Sequence, residues 1–207
     1  MIYKAASCSS EDKLMKKEIY FPDFKIVAWP ESERLRDYFL TPRGRDRTVE
    51  NGNDSWGLDV KGLYGTENVK PYVQQTPEER AKVVEASLDM DFNPQLGVLL
   101  SYSRYGGGFA ENYFSYSDLG RLNVYVETLH NDLRPVGMYI PHQVAWPAVK
   151  EFMDREGELP TCINWVSGRD LPENTFVEPG EDVPTIKTTG YPWDRDPNWR
   201  SSRKRPR

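Results

Sequence analysis

Two cysteines and two histidines in 207 residues leave little material for the chemistries that depend on them. Cys8 and Cys162 lie far apart and in different settings, so no disulfide framework is indicated. Together with His130 and His142 they are too few and too scattered for a zinc site. Long apolar runs are also missing. The longest strongly apolar stretch, Leu96 to Leu100, falls far short of a membrane span. A mean hydropathy of −0.72 points to sizeable polar segments outside whatever core forms. Cys8 sits in a serine-rich stretch, but Glu11, Asp12, Lys13, Lys16 and Lys17 follow and leave no apolar segment for a signal peptide. A cytoplasmic location is therefore expected.

Aromatic residues are plentiful. Twelve tyrosines and six tryptophans exclude a disordered polymer and supply material for one substantial core. The formal net charge is −5, yet five positive charges fall between Arg200 and Arg207, which leaves −10 on the rest of the chain. An acidic body favours basic partners, including proteins that themselves bind nucleic acid.

Along the chain, residues 19–29 read as a first extended segment with alternation around Phe24, Ile26 and Ala28. Ser32 is placed to cap a short helix burying Leu35, Tyr38 and Phe39. Residues 41–64, rich in Gly, Asn, Asp and Arg, read as loop with a strand near Trp56 to Val60. Thr76 and Glu79 match a capping box with Pro77 at the first helical position, which predicts a helix from Thr76 to Asp89 with Ala81, Val84 and Leu88 on one face. After Pro94 the period becomes two. Leu96, Val98, Leu100 and Tyr102 share a face, Gly106-Gly107-Gly108 turns the chain, and a return strand is expected at Asn112 to Tyr116. A third strand of this meander is expected over Leu122 to Glu127 and a fourth, short one over Val136 to Ile140. Beyond Val166, six prolines and many carboxylates mark a tail, whose Trp193 and Trp199 suggest that part of it docks on the body.

The fold class that follows is α+β: an antiparallel β-meander packed by helices, with a C-terminal helix and a final strand. Three segments are expected. They are an N-terminal extension over 1–93 packed on the core, an α+β core over 94–166, and a Pro-rich acidic tail over 167–207 ending in a basic cluster.

Several tempting motifs fail as chemistry. Asp89, Asp91 and Asn93 open like a calcium loop, but Pro94 stands where glycine is needed and Leu100 where glutamate should close it. Asp194, Asp196 and Asn198 fail likewise at Trp199, and both segments read as turns. The triple glycine lacks the helix N-terminus that a phosphate cradle needs. Glu127 and His130 have metal-ligand spacing on a helix, whereas a strand puts them on opposite faces. No cofactor, metal or catalytic residue is expected. Of the aromatic cluster Tyr102, Tyr105, Phe109, Tyr113, Phe114 and Tyr116, the pleat assigns half to the core and leaves half for a binding face. Tyr105 and Tyr113, beside Glu111, are the members expected on that face.

The most distinctive stretch is Ile140 to Trp165. It reads as a helix with Val144, Ala145, Ala148, Val149 and Phe152 on its apolar face, kinked or delayed by Pro147. A glycine stop at Gly157 and a break at Pro160 precede a buried strand carrying Cys162, Ile163 and Trp165. Ile140, Pro141, Ala148, Glu151, Phe152, Gly157, Pro160, Ile163 and Trp165 together resemble the C-terminal signature of immunity protein family one of bacterial polymorphic toxin systems. Pro141, Glu151, Phe152, Gly157, Pro160, Ile163 and Trp165 form its structural motif. The resemblance implies a non-enzymatic cytoplasmic antidote that binds a cognate deaminase- or nuclease-type toxin and blocks its active site or substrate channel. Tyr105, Glu111, Tyr113, Glu127 and Asp132 are its expected toxin-facing residues. Two other readings stand beside it: a nucleic-acid adaptor acting through the basic tail, and a small hydrolase or transferase using Cys162, His142 or a carboxylate pair.

Overall fold

The computed structural model describes residues 15–21, 28–49, 52–66, 76–196 and 198. Strand β1 runs over Lys16–Tyr20, followed by helices α1, Arg36–Leu40, and α2, Pro42–Thr48. Strand β2 spans Ser55–Leu63, the one-turn helix α3 Pro77–Arg80, β3 Val84–Asn93, β4 Gly97–Gly106 and β5 Phe109–Ser115. Then come β6, Tyr125–Glu127, β7, Leu133–Pro135, α4, His142–Asp154, β8, Trp165–Ser167, β9, Thr185–Ile186, and the short α5, Pro192–Arg195. Six antiparallel strands form the main sheet in the order β1-β2-β3-β4-β5-β8. A smaller sheet has the order β7-β6-β9, with β9 parallel to β6. The α+β class read from sequence is the class observed.

Alternation explains the main sheet. In β3, Val84, Ala86, Leu88, Met90 and Phe92 are buried, while Glu85, Ser87, Asp89 and Asp91 point the other way. Their partners Leu58 and Val60 in β2 and Leu100 and Tyr102 in β4 continue the apolar face. Helix α4 covers it with Ala145, Ala148, Val149 and Phe152, and α1 adds Tyr38 and Phe39. A second, smaller core lies on the opposite side, where Leu99 meets Val126, Val136, Met138 and Tyr139.

This arrangement corrects several expectations. The helix expected over Thr76 to Asp89 is one turn long. Its capping box is present, with the Glu79 N–H donating to Thr76 Oγ1 at 3.2 Å and the Thr76 N–H to Glu79 Oε2 at 3.0 Å. From Val84 onward the chain is strand, because the five alternate apolar residues bury far more surface in a sheet than Ala81, Val84 and Leu88 could on a helix. The segment expected as loop contains α2, held by Thr41, whose hydroxyl donates to the Asp37 carbonyl closing α1 and accepts from the Gly44 N–H opening α2. No boundary falls at residue 93: that position ends β3 in the hairpin to β4, and β1 to β3 are half of the main sheet. Asp89 to Asn93, expected as a turn, is likewise strand.

Downstream, the meander stops at β5. Only Tyr125–Glu127 of the third expected strand is extended, and it leaves the main sheet to pair with β7 and β9. Val136–Met138 is a 3-10 turn rather than a strand, and Ile140 makes a single bridge to Val98. Helix α4 starts at His142, so Pro147 neither delays nor breaks it; only the N–H that would reach the Gln143 carbonyl is lost. Val144 is 43% exposed, and the buried face is completed by Trp146, Met153 and His142 instead. The tail does dock: the Tyr125 N–H donates to the Pro184 carbonyl at 2.8 Å, Tyr191 is buried, and Trp193 stacks on it at 4.7 Å. Phe24, Ile26, Cys8, Trp199 and the terminal basic cluster lie outside the described residues.

Candidate functional site

The signature stretch after α4 is held by its own chemistry. Glu151 accepts from the Thr161 N–H at 3.0 Å, the Thr161 hydroxyl at 2.8 Å and the Cys162 N–H at 3.2 Å. Partial desolvation opposes ionisation there, but the bonds from Thr161, Arg155 and Cys162 prevail and hold the carboxyl down at about 2. Gly157 takes φ of 98°, and a Cβ at that position would lie 2.4 Å from Val60 Cγ1. Its carbonyl accepts from the buried Tyr102 hydroxyl, and the Pro160 carbonyl accepts from Trp165 Nε1 at 2.7 Å. Phe152 is fully buried, with Ile163 and Trp165 packed at the core's rim, and Pro141 is the N-cap of α4. These residues build the fold.

Cys162 is exposed rather than buried in a strand, because β8 begins only at Trp165. Local desolvation and the neighbouring Glu151 push its thiol up to about 11, which suppresses the nucleophilic thiolate. His142 lies at the opposite end of α4, about 13 Å along the axis from Glu151 by the helical rise of 1.5 Å per residue. The structure does not bring Cys162 and His142 together.

The five expected interface residues are also dispersed. Tyr105 lies on the sheet face away from α4 and is 44% exposed. Glu111 and Tyr113 point to the other face, since Glu111 opposes Arg104 and Tyr113 opposes the buried Tyr102. Glu111 is bound there at 2.7 Å by Arg104, which also reaches Glu158 at 3.1 Å. Glu127 ends β6, and Asp132 pairs with Arg134 at 3.3 Å beyond the small sheet. His130 stands in a turn beside Asn53 at 3.1 Å, not with Glu127. Among the described residues no group of three or more His, Cys, Asp or Glu could hold a metal, and no helix is long and apolar enough to cross a membrane.

What the structure does assemble is an open, acidic patch on the main sheet. On the face away from α4, register places Glu18 beside Asp59, Asp59 beside Ser87, and Ser87 beside Ser103; the adjoining row runs Tyr20, Gly57, Asp89, Ser101. Serines and glycine keep the middle low, and Ser87 and Ser103 bond each other at 2.8 Å. A hollow of about 130 Å³ opens among Asp59, Lys61, Glu85, Ser87, Ser103 and Tyr105. Glu18 is paired with Lys16 at 2.6 Å, Glu85 with Lys61 at 3.5 Å, and Asp91 with Arg134 at 2.8 Å. Asp59 and Asp89 form no ion pair among the described residues.

Asp89 leans over Gly57, where a Cβ would stand 2.9 Å from its Oδ1. Desolvation against the strands, with the charges of Asp59 and Asp91, pushes its carboxyl up to about 6. Desolvation likewise raises Asp59, as does Glu18 against the opposing pull of Lys61. Tyr20, 41% exposed, borders the patch and has its own hydroxyl raised by desolvation and by Asp59. Sequence reasoning missed Glu18, Asp59 and Asp89. The signal was present, since alternate residues are polar from Gly57 to Lys61 and from Glu85 to Asp91, but reading 76–89 as helix hid it.

No protein family, curated protein or solved structure matches the chain.

Proposed function

We propose that this chain is a binding protein whose open sheet face receives a basic surface of a protein partner, in the manner of an immunity protein that blocks a toxin's nucleic-acid-binding cleft. The carboxylates Asp59 and Asp89, which form no ion pair among the described residues and are met by the Tyr20 and Ser87 hydroxyls alone, carry the reading. Asp89 is held in a setting that disfavours its charge, and a lysine or arginine from a partner would reverse that cost. Ser87 and Ser103 leave room for such a side chain, and Tyr20 and Tyr105 offer rigid aromatic area on either side. The toxin itself is inferred from the resemblance of Ile140 to Trp165 to immunity protein family one. An acidic face stands in for the phosphates a basic cleft expects and speeds encounter by steering.

The test is growth of bacteria expressing the C-terminal domain encoded by the neighbouring gene, with and without this protein. Rescue together with an equimolar complex is the expected result. Asp59→Lys with Asp89→Lys should abolish rescue while the purified variant keeps its fold, and binding of the unaltered protein should weaken about tenfold or more as pH drops from 7 to 5. A complex that leaves the toxin fully active, or charge reversal without effect on rescue, would sink the proposal.

A further inference from the structure

A second site, independent of the sheet face, lies where α2, the β3–β4 hairpin, the start of α4 and the docked tail converge. A cavity of about 130 Å³ opens there among Arg45, Asp46, Asn93, His142, Pro192 and Arg195. Arg45 is anchored by its Nε–H, which donates to the Phe39 carbonyl at 2.8 Å, and its terminal amino groups have no partner among the described residues. His142 is 95% buried, lines the cavity and makes no hydrogen bond with a described residue. Its ring nitrogens are not sealed off, so the imidazole can offer an N–H to an occupant of the cavity.

The wall behind His142 is the N-terminus of α4, a 13-residue helix whose N-cap, Pro141, supplies no side-chain acceptor. The Val144 and Ala145 N–H groups return to the Pro141 carbonyl, while those of His142 and Gln143 find no acceptor among the described residues. A helix N-terminus adds a favourable field for negative charge. The remaining polar groups are engaged. Asp46 pairs with Arg195, Asn93 Oδ1 accepts from the Gln95 and Leu96 N–H groups, and Asn93 Nδ2 donates to Thr188 at 2.9 Å. What the lining residues leave without a partner among the described residues are donors: the Arg45 guanidinium, the His142 imidazole N–H and the His142 backbone N–H. Burial and the charge of Arg45 push His142 down to about 4, so its ring is neutral at pH 7 and keeps one N–H to donate.

We propose that this cleft binds a small oxyanion, a carboxylate or phosphate group, between the Arg45 guanidinium and the His142 imidazole at the start of α4. The tail completes the site. Thr188 and Thr189 are tied to Asn93 and Gln95, at 2.9 and 2.7 Å, and bring Gly190, Pro192 and Arg195 to its outer wall.

The experiment is a titration of the full chain at pH 7 with inorganic phosphate and, separately, with acetate, followed by NMR of the two histidine rings at constant ionic strength. Saturable movement of the His142 signals with either anion, with exposed His130 still, is expected; the tighter anion identifies the source as phosphate-type or carboxylate-type. Arg45→Met should weaken it about tenfold or more, and His142→Gln, which keeps an N–H donor, should bind better than His142→Leu when anion protection is read as the rise in melting temperature. No saturable shift of His142 with either anion, an equal shift of His130, or unchanged binding in a folded Arg45→Met chain would overturn the assignment.

Discussion

Glu151 shows how one side chain can fix a turn. It reaches from the third turn of α4 to the backbone at residues 161 and 162, so the chain leaving the helix is pinned by a carboxylate rather than by regular structure. Hydrogen bonds to a charged group are worth about 2 kcal/mol, and Glu151→Ala should destabilise the fold by about that much in chemical denaturation. Its folded value of about 2 lies below the ordinary 4.5, so the carboxylate stabilises the fold above pH 4.5 and that contribution is lost as pH falls from 4.5 toward 2. The difference between wild type and Glu151→Ala should therefore shrink across that window. Phe152, Gly157, Pro160 and Trp165 were legible from pattern and local preference, whereas Glu151 was singled out only by the resemblance. The bonds they make were not, since Glu151 and Thr161 meet only once the chain has turned back.

Elements were legible where local pattern and burial agree. The β4–β5 hairpin is the clearest case, with Gly106, Gly107 and Gly108 all at positive φ between alternating strands. Gly106 does more than turn the chain: a Cβ there would sit 1.9 Å from the Val83 carbonyl oxygen at the entry to β3. Gly106→Ala should therefore cost about 3 kcal/mol, from backbone strain and the displaced β3, measured as a drop in unfolding free energy with an unchanged denaturant slope. The region 76–93 was misread for a physical reason. A capping box is a local nucleus, and it governs one turn. Whether that turn propagates depends on what the following residues bury, and β2 and β4 on either side offer β3 a ladder on both edges.

At the scale of the whole molecule, one face of the main sheet is covered by α1 and α4, and among the described residues the other is covered where Leu99 meets the small sheet. The uncovered part collects Glu18, Asp59 and Asp89 from three strands. The ionised Asp89 carboxylate disfavours the folded state of the free protein. Its folded value of about 6 lies above the ordinary 3.8, so stability is full below pH 3.8 and is lost as pH rises through 6. Asp89→Asn should consequently raise the melting temperature at pH 7.5, leave it nearly unchanged at pH 4, and weaken binding of a basic partner. Loss of stability in Asp89→Asn at pH 7.5 would show that the carboxylate serves the fold instead of the surface.

Composition and period alone determined the α+β class, the apolar side of β4, the glycine turn, the buried positions Ala145, Ala148, Val149 and Phe152 of α4, and the acidic character of the body. Each of these is a property of residues near one another in the chain, where propensity and alternation act directly. Tertiary structure alone decided that β3 is a strand, that Tyr105 and Tyr113 face opposite ways, that the tail closes over Asn93, and that Asp59 and Asp89 share a face while Cys162 and His142 do not meet. Those outcomes depend on strand register and on competition for burial between segments distant in sequence; a one-residue change of register between β2 and β3 would by itself have put Asp59 and Asp89 on opposite faces.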